Sequence, residues 1–222
     1  MKLHSSVAFP DPRETLAEGI LAVGGKLDVG TLYTAYSMGI FPWPQPNLPM
    51  LWFSPDKRGV LEFKDLHVPA SLQRHLRKNP QIQFTVNKDF RQVIEECAKQ
   101  PRPGQDGTWI TPAMVRSYMD FFNAGYCLSV EVRENNVIIG GIYGVLVQGV
   151  FSGESMFYKK PNASKLALWY LADYLKSQGH KWMDVQMVTP VVESLGGKYV
   201  DRETYLGMLE NRHKELSLGS HQ

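Results

Sequence analysis

The sequence predicts an α+β fold, in which a mixed sheet flanked by helices follows a smaller N-terminal domain. Three observations carry that prediction. The first 60 or so residues are rich in turn formers and aromatics, with prolines that forbid a long helix. From about residue 61, helical and alternating apolar patterns take over. Three strand-like segments then run in succession, separated by hairpin-type residues. The expected division is a small N-terminal domain over 1–61 and a larger domain over 62–222.

Taken in order, Leu21 to Gly25 reads as a short strand or turn. Asp28 to Met38 fits a helix, with Asp28 as N-cap and Gly39 just past the end. The proline-punctuated stretches Gly39 to Pro44 and Leu51 to Pro55 favour extended or tightly turned backbone. Ser71 to Lys78 reads as a basic helix stopped by Asn79-Pro80, and Gln81 to Val86 alternates as a strand. Phe90 to Lys99 carries Phe90, Val93, Ile94 and Cys97 on one helical face. After a Pro/Gly-rich loop, Thr111-Pro112 starts a helix that Gly125 closes.

Tyr126 to Arg133, Val137 to Val147 and Val150 to Ser152 are three expected antiparallel strands. Asn135-Asn136 and Gln148-Gly149 supply the turns, where positive φ is tolerated. Ser164 to Gln178 follows as a helix, Lys181 to Met187 as a strand and Val191 to Leu195 as the start of a short helix. From about Lys214 the chain reads as a frayed tail.

Composition narrows the function. Hydrophobic residues make up 43% and charged residues 21%, ordinary values for a globular protein. A net charge of +2 excludes a chain that binds nucleic acid over its whole surface, though 24 Lys and Arg can still build a local basic face. Cys97 and Cys127 form neither a CxxC pair nor a zinc set, which suits a reducing compartment. No run approaches ~18 apolar residues, and no secretory signal opens the chain. A cytoplasmic protein without a membrane partner is expected. Phosphate-loop, HExxH and GxSxG motifs are absent, so neither an ATP-driven nor a metal-dependent reaction is expected. The reaction would then use a donor that arrives already activated.

Three groups of residues could carry chemistry. Glu154 follows the apolar run Val147 to Ser152 and precedes Ser155, Met156 and Phe157. It fits an exposed turn carboxylate, or a buried one in an aromatic-walled pocket. Asp184 and Gln186 stand two apart on a predicted strand, so their side chains share a face, with Val185 and Met187 on the other. A carboxylate beside an amide can orient it toward an amine or an oxyanion; a polar edge strand gives the same pattern. Trp43, Trp52, Phe53 and Trp109 lie in loop-like sequence, as core lids or as platforms for an unpaired base. Arg74, His75, Arg77 and Lys78 cluster within two helical turns, as a phosphate-binding patch or a solvated face.

Read together, these segments resemble the leucyl/phenylalanyl-tRNA–protein transferase family over almost the whole chain. The resemblance rests on Phe9-Pro10, Gly19 to Gly25, Gly39 to Trp43, and Trp52 to Asp56 with Arg58. It continues through Leu66-His67, Gly107 to Thr111, Gly140 to Gly144, Gly153 to Phe157, Asn162 to Lys165, Asp184 to Gln186 and Ser194 to Gly196. It implies a catalytic domain over 62–222 like that of the N-acetyltransferases. It also implies transfer of Leu or Phe, with Met as a further donor, from aminoacyl-tRNA to proteins with N-terminal Arg or Lys, marking them for degradation. No cofactor is implied, and a monomer is expected. Asp184 would polarise Gln186, Gln186 would orient the amine, and Glu154 would sit beside the same pocket. Trp43 and Trp109 would hold the terminal adenosine, Ile142 and Phe151 would line the side-chain pocket, and Arg74, Arg77 and Lys78 would contact tRNA. The chain departs from the family at Val185, usually Cys, at Val191, usually His, and at Ala70, often basic. Val185 is expected to point away from the cleft.

A coenzyme A-dependent N-acyltransferase would need a Gly-rich turn before a helix, which Asn162 to Lys165 lacks. A non-catalytic tRNA or protein-terminus binder would keep the basic and aromatic groups while dispensing with Asp184 and Gln186, yet both stand.

Overall fold

Side-chain caps and tight turns set several of the element ends. The computed structural model describes residues 3–15, 17–45, 47–101 and 108–219, with backbone alone at 17 and 216–219. Strand β1 (Ile20–Val23) enters a small sheet with β2 (Phe41–Pro42) and β3 (Leu51–Phe53), in the order β1-β3-β2. Between β1 and β2 runs α1 (Val29–Ser37), whose N-cap Asp28 accepts a 2.8 Å hydrogen bond from Thr31 N. Gly39, at φ 74°, turns the chain out of that helix, a conformation glycine adopts without strain.

Next comes β4 (Lys57–Glu62), which belongs to the larger sheet although the composition changes only after it. Its Gly59 lies against the Met187 backbone, so a small residue there keeps the turn-like composition running into a true strand. Helix α2 (Ala70–Lys78), β5 (Ile82–Val86) and α3 (Phe90–Lys99) follow as expected. The predicted Pro/Gly-rich loop at 102–107, with Gly107, lies outside the described residues. Helix α4 (Pro112–Asn123) begins with Thr111 accepting from Met114 N and with Pro at its first position, where no N–H is missed.

Strands β6 (Cys127–Glu134), β7 (Val137–Val147) and β8 (Val150–Tyr158) form the predicted meander. Both hairpin turns have positive φ at each central residue: 51° and 67° at Asn135 and Asn136, 47° and 72° at Gln148 and Gly149. Turns of that hand match the twist of the strands they join. One expectation fails here. Strand β8 does not stop at Ser152 but runs on to Tyr158, because β7 is long enough to pair with it throughout. Glu154 is therefore a strand residue, not a turn residue.

Helix α5 (Ala163–Ser177), β9 (Trp182–Gln186), α6 (Pro190–Glu193), β10 (Lys198–Asp201) and α7 (Arg202–Gly219) complete the chain. The tail expected from Lys214 is instead the continuation of α7, since good helix formers run on to Gly219 without a breaker.

The seven-stranded sheet has the order β10-β4-β9-β8-β7-β6-β5. All its pairs are antiparallel except β8 with β9, which run parallel and register through Ser152 and Asp184 alone. Helix α5 covers one face, burying Leu166, Leu168, Leu171 and Leu175 against Leu128, Val130 and Ile139. Each such leucine contributes ~1.5–3 kcal/mol of burial. The other face packs α1, α3 and α4 around Tyr36, Tyr118, Phe121 and Tyr143. Helix α7 adds Tyr205, Leu206 and Leu209 against Val60, Val150 and Trp182. Among the described residues no helix is long and apolar enough to cross a membrane.

Candidate active site

A cavity of about 250 Å³ opens beside the point where β8 and β9 part. Its walls are mainly apolar, with Ile142, Met156, Leu168, Val185 and Val192 facing Trp43 and Trp109. The two indoles are stacked at its rim, centroids 6.0 Å apart and planes 25° from parallel. Its polar lining comes from Glu154 and Ser155 on β8, Gln186 at the end of β9, and Thr189 just beyond it.

Glu154 is held from three elements. Tyr36 OH donates to its Oε1 at 2.7 Å, Tyr118 OH to its Oε2 at 3.0 Å, and Gln186 Nε2 to Oε1 at 2.8 Å. The two tyrosine oxygens also meet each other at 2.6 Å. Burial pushes the carboxyl up to about 7, against the lowering pull of the Tyr36 and Tyr118 hydrogen bonds; Asp184 pushes it further up and Arg58 draws it down. Burial likewise holds both tyrosine hydroxyls well above their usual range, with the Glu154 charge adding to it, so they act as neutral donors.

Asp184 is fully buried (0% exposed) and saturated with donors. Arg58 donates through Nε to Oδ1 at 2.8 Å and through Nη2 to Oδ2 at 2.6 Å. Ser152 Oγ donates to Oδ2 at 3.0 Å, Tyr205 OH to Oδ2 at 3.2 Å, and Gln186 N to Oδ1 at 2.9 Å. The guanidinium lies between the rings of Phe41 and Tyr205, 4.5 and 4.6 Å from their centroids. Burial works against its charge, but the adjacent Asp184 prevails and raises its pKa. Planarity and two aromatic faces are what Arg offers here and Lys does not.

Gln186 has φ 58°, in the left-handed region that non-glycine residues seldom occupy. Met187 N donates to Val185 O at 2.6 Å, closing a γ-turn centred on it. This turn ends the strand's two-residue alternation and corrects two expectations. Val185 and Met187 were expected on the face away from the cleft; both line the cavity. The direct Asp184 to Gln186 side-chain contact is replaced by a division of labour. Asp184 grips the Gln186 backbone N–H, and the turned side chain reaches Glu154.

Of the other candidates, Trp43, Trp109 and Ile142 come to the cavity. Phe151 does not line it; it is fully buried, with its ring over Gly144. Arg74, Arg77 and Lys78 are exposed on α2, away from the cavity lining. Sequence reasoning missed Tyr36 and Tyr118, which sit at ordinary core positions of their helices, and Tyr205 on α7. Arg58 follows the exposed Lys57 at the start of β4, so nothing in its local sequence marks it as the buried cation.

Two family models match the chain. The leucyl/phenylalanyl-tRNA protein transferase model covers residues 60–210, and the model of that protein's N-terminal domain covers residues 25–56. Curated relatives named leucyl/phenylalanyl-tRNA–protein transferase span nearly all of it. The protein from Oleidesulfovibrio alaskensis is 44% identical over 94% of this chain and 86% of its own. That from Maridesulfovibrio salexigens is 45% identical over 94% and 87%, and that from Flavobacterium johnsoniae 42% identical over 95% and 99%.

Proposed function

Since this chain belongs to the leucyl/phenylalanyl-tRNA–protein transferase family, we infer that it moves Leu or Phe from aminoacyl-tRNA to the N-terminal Arg or Lys of acceptor proteins. The acceptor so extended is marked for degradation. One observation supports this reading above the others. A mainly apolar cavity with stacked indoles at its rim ends on a carboxyl and an amide hydrogen-bonded to each other.

The donor is an ester between the amino acid and the tRNA ribose, already activated for attack by an amine. An N-terminal α-amine has a pKa of about 7.7–8.0, so a usable fraction is neutral near pH 7. Holding amine and ester in attack geometry can supply ~7 kcal/mol or more of the barrier. Trp43 and Trp109 take the terminal adenosine by stacking. The Leu or Phe side chain enters the cavity along Ile142, Met156, Leu168 and Val192, walls without polar groups that would reject it. With its Nε2 committed to Glu154, Gln186 offers Oε1 to the N–H of the incoming amine. Asp184, neutralised by Arg58, fixes Gln186 through its backbone. Arg74, Arg77 and Lys78 contact tRNA phosphates. The N-terminal part is best delimited by the small sheet, with the link at 54–56 leading into the catalytic part.

Transfer of labelled Leu or Phe from charged tRNA to a peptide beginning with Arg or Lys tests the reading. Folded protein that transfers nothing from any charged tRNA would sink it. Gln186→Ala is expected to lower turnover more than tRNA affinity. The double variant Arg74→Ala, Arg77→Ala should weaken tRNA binding and reduce the slope of log affinity against log salt by about 1.4, at ~0.7 per single-strand phosphate contact. An unchanged slope would move the tRNA face elsewhere.

A further inference from the structure

Three oxygens close a ring at the polar end of the cavity. Tyr36 OH and Tyr118 OH stand 2.6 Å apart, Tyr36 OH lies 2.7 Å from Glu154 Oε1, and Tyr118 OH lies 3.0 Å from Glu154 Oε2. Each contact is at hydrogen-bond distance, so a complete ring needs three protons. The hydroxyls bring two. If Glu154 is ionised, both hydroxyls point at it, and two phenolic oxygens face each other at 2.6 Å with no proton between them. A third proton resolves this. Glu154 Oε2–H then donates to Tyr118, Tyr118 donates to Tyr36, and Tyr36 donates to Glu154 Oε1. Gln186 Nε2 remains on Oε1 in either state.

We propose that Glu154 is the proton acceptor of the transfer reaction, with Tyr36 and Tyr118 as positioning residues whose ring holds the proton it takes. The inference deepens the aminoacyl transfer proposed above and rests on it. In the first step the α-ammonium of the acceptor gives one proton to the Glu154 carboxylate, leaving a neutral amine. The amine nitrogen then attacks the ester carbonyl carbon; the N–C bond forms and the C–O bond to the ribose breaks. The second proton lost by the nitrogen goes to the departing ribose oxygen. Glu154 finally returns its proton to solvent, so one proton is released per ammonium consumed.

The charged and titratable groups facing Glu154 suit this role. Tyr36 faces it from α1, Tyr118 from α4, Arg58 from β4 and Asp184 from β9, while Cys127 on β6 and Tyr143 on β7 lie behind the tyrosines. The resulting value of about 7 lies within about one unit of an N-terminal amine, so the proton moves without a steep uphill step. A carboxyl at its ordinary value would be too weak a base.

Difference infrared spectroscopy of the full chain without substrate tests the ring directly. A protonated-carboxyl C=O band should disappear as pH rises through about 7 and be absent from Glu154→Gln. In Tyr36→Phe that band should move to higher frequency, because Oε1 loses a donor. In Tyr36→Phe and in Tyr118→Phe the midpoint should change by about one pH unit, the worth of one hydrogen bond to a carboxyl. Single-turnover transfer from charged tRNA supplies the second readout: the acidic limb of its rate should track the infrared midpoint through wild type and both variants, with KM for tRNA unchanged. Absence of the band, or a limb that stays with the acceptor amine while the infrared midpoint moves, overturns the proposal. No transfer at any pH, with the infrared titration as expected, would instead overturn the functional reading and leave the three-oxygen proton site standing.

Discussion

Replacing Arg58 by Met tests how the buried half of the site is held. Arg58 is 1% exposed, makes two hydrogen bonds to Asp184, and lies between two aromatic rings. Removing one partner of a buried ion pair costs ~3–5 kcal/mol, because the other charge stays buried. Asp184 would keep Ser152, Tyr205 and the Gln186 N–H as donors, which places the expected loss near the low end, about 3 kcal/mol. Against a typical stability of ~5–15 kcal/mol, that is a large fraction. Urea unfolding at pH 7, followed by tryptophan fluorescence and circular dichroism, reads it as a midpoint lower by about 1.5 M at an m-value near 2 kcal/mol/M. Asp184→Asn should cost a similar amount, while the double variant should lose at least ~2 kcal/mol less than the two singles combined. The reasoning fails if Arg58→Met costs under ~1 kcal/mol, or if the two changes simply add.

Three further outcomes follow from particular contacts. Glu154 has a folded-state pKa of about 7 against an unfolded value near 4.5, so its contribution favours folding below about 4.5 and is lost as pH rises through about 7. Glu154→Gln should therefore gain stability relative to wild type by on the order of 2–3 kcal/mol between pH 4 and pH 8, and a pH-independent difference in denaturant titrations would contradict the raised value. Trp43→Ala should weaken binding of an aminoacyl-adenosine fragment about 10–100-fold, the worth of one base–aromatic stack, and calorimetry showing undiminished affinity would place the adenosine elsewhere. A methyl group on Gly144 would press into Ser152 O and the Phe151 ring, so Gly144→Ala should lower the melting temperature by several degrees, at about 1–3 kcal/mol. An unchanged melting temperature would mean that the two strands separate at no cost.

Short-range features of this fold are written plainly in the chain. Asp28 and Thr111 cap their helices through side chains three residues from their targets, and both hairpins follow from the residues at their tips. Strand β8 was harder, because Gly153-Glu154-Ser155 has the composition of a turn and only its pairing with β7 makes it a strand. The site divides in the same way. Glu154, Asp184 and Gln186 could be singled out because polar side chains amid apolar runs need a reason to be there. Tyr36 and Tyr118 gave no such sign: their rings belong to the core, and their hydroxyls meet Glu154 across sequence separations of 118 and 36 residues. The γ-turn at Gln186 was equally hidden, since glutamine has no preference for positive φ and the turn is held by the buried carboxylate of Asp184, two residues earlier on the same strand.

That turn explains why the site lies where it does. A parallel ladder continued past Ser152 and Asp184 would have kept β8 and β9 in hydrogen-bond contact and filled the space the cavity occupies. Register shifts lie on either side of the parting strands, between Tyr143 and Gly144 where β7 pairs with β8 and between Gly59 and Val60 where β4 pairs with β9. Diverging strands leave backbone groups without ladder partners, and such groups are costly when buried. Asp184 answers this for Gln186 by accepting its backbone N–H, and Arg58 makes that acceptance tolerable by balancing the buried charge. The ion pair is thus part of what holds the cleft open as well as part of what orients Gln186. Its loss is expected to show first as a looser β9 end and weaker placement of the amide, before the sheet as a whole gives way.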